Sequence, residues 1–266
     1  KEYLEKFNFD AMPLPSMHSQ EADAKTTFQK LDRIWAHNNP GEFEVEAMTD
    51  QDRRTVYAAY MAMVSLIDDQ VGRILDALEE TGQADNTFVV FMSDHGEMLG
   101  DHGIYFKGPH FYDCQMRVPL IMKWPRGGVL KNRQVDGFVE LVDLMPTFLD
   151  AAGFKVPSAV QGKSLLPLLQ GGDEQDHCKK QVYAEYYNAW THNDAYGTML
   201  RTKDWKIVVY HGTNQGEFYN LKEDPEEFFN LWDQPDFEKE KQQYIIKCFD
   251  ASVLSMDPDP PRLGPF

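Results

Sequence analysis

The sequence contains few cysteines and no long apolar run. Its three cysteines show no CxxC or zinc-ligand spacing, and they are Cys114, Cys178 and Cys248. We therefore expect buried or free thiols rather than a disulfide framework. The cysteines do not indicate whether the protein works in a reducing or an oxidising compartment. The lack of any apolar stretch of 18 residues argues against a transmembrane helix.

Basic residues are also scarce, since 26 lysines and arginines face 43 aspartates and glutamates and give a formal net charge of −17. An acidic surface repels nucleic acids and anionic membranes, so we expect neither as a partner. An anionic ligand needs a local group of cations or a metal ion that overcomes this field.

Enough apolar material is present for a substantial core. Of the 266 residues, 42% are hydrophobic and 13% are aromatic, which is typical of a folded protein. We divide the chain into an irregular lead-in at 1–48, with a short helical possibility at 26–37, an α/β part at 49–170 and a smaller α+β part at 171–266.

The α/β part begins with a long amphipathic helix. Apolar residues recur there at three-and-four spacing, from a capping residue at Thr49 or Asp50 to a stop at Gly82. The apolar run at 87–92 (TFVVFM) predicts a strand covered on both faces in a parallel sheet, and 118–123 (VPLIMK) predicts another strand. Helical segments are predicted at 143–152 and 164–169.

The C-terminal part has a different pattern of apolar residues. Short apolar pieces separated by turns predict a small antiparallel sheet, with strands at 182–187, 198–202, 205–210 and 217–220. Helical spacing at 236–254 predicts a helix that packs against this sheet. The last residues, 257–266 (DPDPPRLGPF), form an extended Pro-rich strip.

The most informative stretch is where the strand at 87–92 ends. Asp94 and His95 follow it, and strand ends are where α/β sheets bind ligands. Alone, Asp94 is best explained as a turn-capping residue and His95 as a surface residue. The glycine-rich loop that follows adds further acidic, imidazole and ammonium groups, which favours a site that holds a metal ion. These groups are Glu97, Asp101, His102, Lys107 and His110.

At this point a family resemblance becomes specific. SDHGEMLGDHGIYFKG (93–108) and MRVPLIMKWP (116–125) resemble the corresponding segment of sulfatases and related phosphonate monoester hydrolases of the alkaline-phosphatase superfamily. Further matching segments follow in the family order, namely VELVDLMPTFLDAAG, QGKSLLPLLQG, LRTKDWKIVVY and FYNLKEDPEEFFNL. The resemblance extends from residue 49 to about residue 232.

The resemblance implies a fold and a site. The fold is part of an alkaline-phosphatase-like sandwich, a mostly parallel central sheet flanked by helices, with a smaller C-terminal α+β subdomain. Asp94 and His95 would bind a divalent cation, usually calcium, and Lys107 would contact the sulfate as the catalytic and substrate-binding lysine. Many sulfatases carry Asn at the position of His95, so manganese stays an alternative. His110 would contact substrate or make a structural hydrogen bond, and Asp101 and His102 would brace the loop.

The resemblance also implies groups that this sequence lacks. Sulfatases use a formylglycine made from a C/S-x-P-x-R motif, preceded by a pair of aspartates, and neither occurs here. We therefore expect the C-terminal portion of a sulfatase, inactive alone, with an apolar edge or face for its missing N-terminal half. Its substrate would be a sulfate ester, either a small molecule or a glycan.

The alternatives are a phosphonate or phosphate ester hydrolase, or a non-catalytic remnant or scaffold. Localisation stays open between cytoplasm, which is slightly favoured, and periplasm or secretion.

Overall fold

The structure, a computed structural model, describes residues 1–21, 24–36, 39, 44–188 and 194–256. The α-helices are α1 (Thr27–Ile34), α2 (Asp50–Glu80), α3 (Asp113–Met116), α4 (Leu144–Ala151), α5 (Leu166–Leu169), α6 (Glu174–His177) and α7 (Glu238–Leu254). The strands are β1 (Val89–Met92), β2 (Leu120–Lys123), β3 (Gln181–Tyr187), β4 (Tyr196–Thr202), β5 (Trp205–Tyr210) and β6 (Gln215–Asn220). In the described ranges, none of these helices could cross a membrane. The Pro-rich strip at 257–266 lies outside the described residues.

Helix α2 is the long helix that the sequence predicts. Thr49 caps it, because its hydroxyl accepts the Asp52 N–H at 3.2 Å while the Asp52 carboxylate accepts the Thr49 N–H at 2.8 Å. Its buried residues are small, Ala58 and Ala62, and the helix packs against the N-terminal turns of the chain. Several of its large apolar side chains are more than half exposed: Met63, Ile67 and Ile74.

Strands β1 and β2 pair with each other in antiparallel register, with Val89 opposite Lys123. The sequence placed β1 in a parallel sheet and gave no direction for β2, and the neighbour of β1 among the described residues is antiparallel. The expectation that β1 is covered on both faces is wrong, because Phe91 and its cross-strand partner Ile121 are 37% and 63% exposed. A continuous apolar run marks a strand, but it carries no information about the direction of its neighbour.

The predicted antiparallel sheet in the C-terminal part is confirmed. Its order is β3-β4-β5-β6, and each neighbouring pair is antiparallel. Helix α7 packs on one face, where Cys248 joins a buried cluster with Leu200, Ile207 and Phe218. All three cysteines are free thiols, as predicted.

The C-terminal sheet also contacts the chain that follows β1, so the parts of the molecule are not separate packing units. Lys206 on β5 bonds the side chain of Asp113 at the start of α3, and Tyr210 at the end of β5 bonds the carbonyl of Pro109. The boundaries proposed at residues 48 and 170 stay a prediction.

Candidate functional site

The loop at 93–110 leaves β1 and passes close to α3. The Gly96 N–H donates to the carbonyl of Gln115 at 2.7 Å. A Cβ atom on Gly96 would lie 2.0 Å from the carbonyl oxygen of Cys114, so no other residue fits without a backbone shift. This contact fixes the direction in which Asp94 and His95 leave the strand.

Asp94 and His95 both reach the surface at the start of this loop. Oδ1 of Asp94 accepts the backbone N–H of His95 at 3.0 Å, which is the local turn bond expected for a capping aspartate. Its other oxygen, Oδ2, lies 3.7 Å from Nε2 of His95, and the side chain is 82% exposed. The pKa of Asp94 is lowered, mainly by the neighbouring His95. One Asp94 oxygen therefore stays available to a ligand on the His95 side.

The hydrogen bonds of His95 define its tautomer. Nδ1 lies 2.7 Å from the carbonyl oxygen of Gly96, which only accepts, so Nδ1 carries the proton. Nε2 lies 2.8 Å from Nζ of Lys107, and an ammonium only donates. The structure thus brings Lys107 together with Asp94 and His95, and their roles toward a metal ion and a sulfate group stay a prediction.

His110 lies apart from these three residues. It is 1% exposed, and its Nε2 lies 2.7 Å from Oδ2 of the fully buried Asp32. This is the structural hydrogen bond that we considered beside a substrate contact. A contact of His110 with substrate stays a prediction.

Asp101 and His102 brace the loop, as expected, and their partners come from the lead-in. Oδ1 of Asp101 accepts the Ser16 N–H at 2.7 Å. Nδ1 of His102 lies 2.8 Å from the buried carboxylate of Glu21, and its ring stacks on Tyr112 at a centroid distance of 3.7 Å. Burial raises the pKa of Glu21, but the His102 hydrogen bond and the charge of Lys25 outweigh burial and lower it to about 2.

A second group of ionic contacts holds the end of the loop on the C-terminal sheet. The ammonium of Lys206 bonds the carbonyl of Phe111 at 2.9 Å, Oδ1 of Asp113 at 2.5 Å and the carboxylate of Glu227. Arg201 donates two hydrogen bonds of 3.0 Å to Asp113. Burial raises the pKa of Glu227, whereas Lys206 and Arg201 overcome the effect of burial on Asp113 and lower its pKa.

Sequence reasoning missed the partners of Asp101 and His102 and the whole second group. Glu21 and Lys25 lie in a segment without clear periodicity, and Lys206 and Glu227 lie about 93 and 114 residues from Asp113. The apolar run of β5 gave one usable signal, because Lys206 lies within it next to buried residues, and a buried lysine needs a partner.

Asp94 and His95 open onto a cleft of about 1690 Å³. Strand β2 and parts of β3 and β4 also line this cleft. Among the described residues, no group of three or more His, Cys, Asp or Glu could hold a metal ion. The role of Asp94 and His95 as metal ligands therefore stays a prediction.

Two family models match this sequence. The model described as "Sulfatase" matches residues 16–154, and the model described as "N-sulphoglucosamine sulphohydrolase, C-terminal" matches residues 100–250. Each range covers more than half of the 266 residues.

Individual proteins give the same result. An N-acetylglucosamine-6-O-sulfatase of Bacteroides thetaiotaomicron is 32% identical over 85% of this chain and 40% of its own length. Arylsulfatase K of Homo sapiens is 31% identical over 86% of this chain and 42% of its own length. A phosphonate monoester hydrolase from Silicibacter pomeroyi superposes with a TM-score of 0.85 at 26% identity, over 96% of this chain and 53% of that one.

The chain thus spans about half, or less, of each of these relatives. The structural likeness confirms the α/β fold class that the motifs implied, with its small antiparallel sheet. Since both models match most of the sequence and the Asp94, His95 and Lys107 motif is in place, the chain belongs to the sulfatase family.

Proposed function

We propose that this chain forms part of a hydrolase that cleaves sulfate esters, with Asp94 and His95 as metal ligands and Lys107 as the contact to the sulfate group. One observation carries the proposal: a carboxylate oxygen and an ammonium lie 3.7 Å and 2.8 Å from the same imidazole nitrogen. Family membership supports this assignment of roles. The substrate is a sulfate ester, either a small molecule or a glycan.

The donor set fits a divalent cation in part. Nδ1 of His95 is committed to Gly96, so Nε2 is the nitrogen that can ligate, and Asp94 has a carboxylate oxygen next to it. A bound cation would stabilise negative charge on the sulfate oxygens and on the leaving oxygen. Calcium suits the carboxylate, whereas the imidazole also suits manganese. An aspartate is ionised at neutral pH, and the pKa of Asp94 is lowered further by His95.

Lys107 places a positive charge next to the proposed metal ligands. Its side chain is exposed and its ammonium is held beside His95, so it is available to an anion that approaches the metal ligands. In sulfate ester cleavage negative charge develops on the leaving and non-bridging oxygens, and a fixed ammonium stabilises it.

The nucleophile and the other metal ligands are proposed to lie in a segment of the same protein outside this chain, with a formylglycine as the nucleophile. Support comes from the relatives, which are roughly twice as long, and from the apolar side chains that are left uncovered on α2 and on the β1–β2 pair. Large exposed apolar surfaces mark interaction sites. The 266-residue chain alone is then inactive.

A phosphonate monoester hydrolase is the second candidate. His95 favours it, because many sulfatases carry Asn there, and the structural likeness to the Silicibacter pomeroyi enzyme is close. The two activities share the metal ligands and Lys107, so they differ in the substrate and not in the role of these residues.

Hydrolysis assays test the proposal. Two proteins are prepared: the chain alone, and the chain joined to the upstream segment of its own coding sequence. Both proteins are given 4-nitrophenyl sulfate and a phenyl phosphonate ester. We expect no turnover by the chain alone, and turnover by the joined protein that falls at least about 100-fold in Asp94→Asn and Lys107→Ala. The exposed Lys239→Ala on α7 serves as the control. Turnover by the chain alone, or full activity of both variants, would contradict the proposal.

A further inference from the structure

The loop that carries Lys107 is built with unusual backbone angles. Three of its non-glycine residues adopt the left-handed conformation: Leu99 (φ 47°), His102 (φ 57°) and Phe106 (φ 64°). Such a conformation is strained for residues other than glycine and persists only where the surroundings hold it. The N–H of His102 is held by the carbonyl of Ser16 at 2.8 Å.

The other two left-handed residues share one acceptor. Oε1 of Glu97 accepts the Phe106 N–H at 2.7 Å and the Leu99 N–H at 3.1 Å. Hydrogen bonds to a carboxylate are stronger than those between neutral groups. The Met98 N–H, which donates to the carbonyl of Phe106 at 3.3 Å, closes the loop at the same place.

The position of this carboxylate matters because Phe106 directly precedes Lys107. A change of the φ angle at Phe106 would swing the following residue away from His95. The distance of 2.8 Å between Nζ of Lys107 and Nε2 of His95 therefore depends on a backbone that Glu97 holds.

We propose that Glu97 is a positioning residue for Lys107. Its carboxylate fixes the left-handed conformation of Phe106, and this conformation aims the Lys107 ammonium at the imidazole of His95. Only the role of Lys107 toward a sulfate group rests on the proposed function, because the positioning itself is a property of the folded chain.

A purely structural role makes a different prediction from positioning. Any loss of structure would lower stability, but it need not break the contact between Lys107 and His95. The Nε2 atom of His95 reports on this contact, since Nδ1 is already bonded to Gly96. Imidazole nitrogen signals measured by NMR on the 266-residue chain thus separate the two roles without metal, substrate or turnover.

The experiment compares variants by the ¹⁵N signal of Nε2. Lys107→Met gives the reference position for a broken contact. We expect Glu97→Ala to move the signal to this reference position, and Glu97→Gln, which keeps an acceptor oxygen, to leave it near the wild-type position. Glu80→Ala, at the exposed end of α2, is the matched control and should change nothing.

If Glu97→Ala does not fold, Glu97→Asp replaces it, because the shorter side chain keeps the charge but no longer reaches Phe106. A wild-type signal in a folded Ala or Asp variant would overturn the proposal. Failure of both variants to fold would overturn it as well, since Glu97 would then serve the fold alone. None of these outcomes depends on whether the completed protein hydrolyses sulfate esters.

Discussion

The ammonium of Lys107 lies 2.8 Å from Nε2 of His95, on the nitrogen lone pair that a metal ion would need. The other ring nitrogen is committed to the carbonyl of Gly96 at 2.7 Å. If His95 ligates a metal ion as proposed, the ion would take the lone pair that now faces Lys107, and the ammonium would have to turn aside.

This competition predicts that Lys107→Met tightens manganese binding by the 266-residue chain by roughly 3- to 10-fold. The variant removes a charge-assisted hydrogen bond and the repulsion between two cations, both weakened by solvent at this exposed site. With two ligands only, the wild-type dissociation constant should be weaker than about 10⁻⁴ M. Isothermal titration with Mn²⁺ measures both values, with Lys239→Met as control. Weaker binding by Lys107→Met would exclude the competition.

Gly96→Ala should destabilise the fold by about 3 kcal/mol or more, because its Cβ would overlap the carbonyl oxygen of Cys114. The matched control is Gly72→Ala in the middle of α2, where a Cβ meets no atom within 4 Å. There, alanine should stabilise the protein by about 0.5–1 kcal/mol through its helix propensity. Urea unfolding compares the two variants. An equal effect at both positions would show that the close approach at Gly96 is unimportant.

Lys206→Met should cost about 3–5 kcal/mol, because it leaves the buried carboxylate of Glu227 without its cation. Burial already raises the pKa of Glu227, so the folded variant binds a proton more readily than the unfolded chain does. Its stability should therefore fall as pH rises from about 5 to 8. Unfolding by urea at both pH values tests this, with the exposed Lys203→Met as control. A loss that is independent of pH would contradict the role of Glu227.

Glu21 should make the protein sensitive to acid. Its pKa is lowered to about 2 in the folded state, against 4.5 as the reference for the unfolded chain. The stability that it contributes, roughly 2–3 kcal/mol, is complete above pH 4.5 and is lost as pH falls from 4.5 toward 2. Glu21→Gln should remove this part of the acid sensitivity, measured as unfolding free energy at pH 6 and pH 3. The exposed Glu80→Gln should retain it, and equal pH profiles in all three proteins would refute the assignment.

Much of the fold follows from local patterns. The capping signal at Thr49 and the three-and-four spacing after it predicted α2 to within two residues, and alternating apolar pieces predicted the four strands of the C-terminal sheet. The strand end at Asp94 and His95, together with Lys107, was found from a motif that lies within 15 residues. These features depend on neighbours in sequence, so periodicity and motif spacing record them.

Other features depend on residues that are far apart in sequence. The antiparallel pairing of β1 with β2 joins segments 31 residues apart, and the bond between His110 and Asp32 spans 78. The apolar run at 87–92 predicted a strand, but not the direction of this neighbour.

The sequence by itself determined the family, the main helices and strands, and the three side chains of the candidate site. Only the tertiary structure decided which charges are buried and paired, namely Glu21 with His102, Asp32 with His110, and Lys206 with Asp113 and Glu227. It also decided that the ammonium of Lys107 lies within hydrogen-bond distance of Nε2 of His95. Burial and pairing depend on which segments meet when the core forms, and the pattern within a single segment does not contain that information.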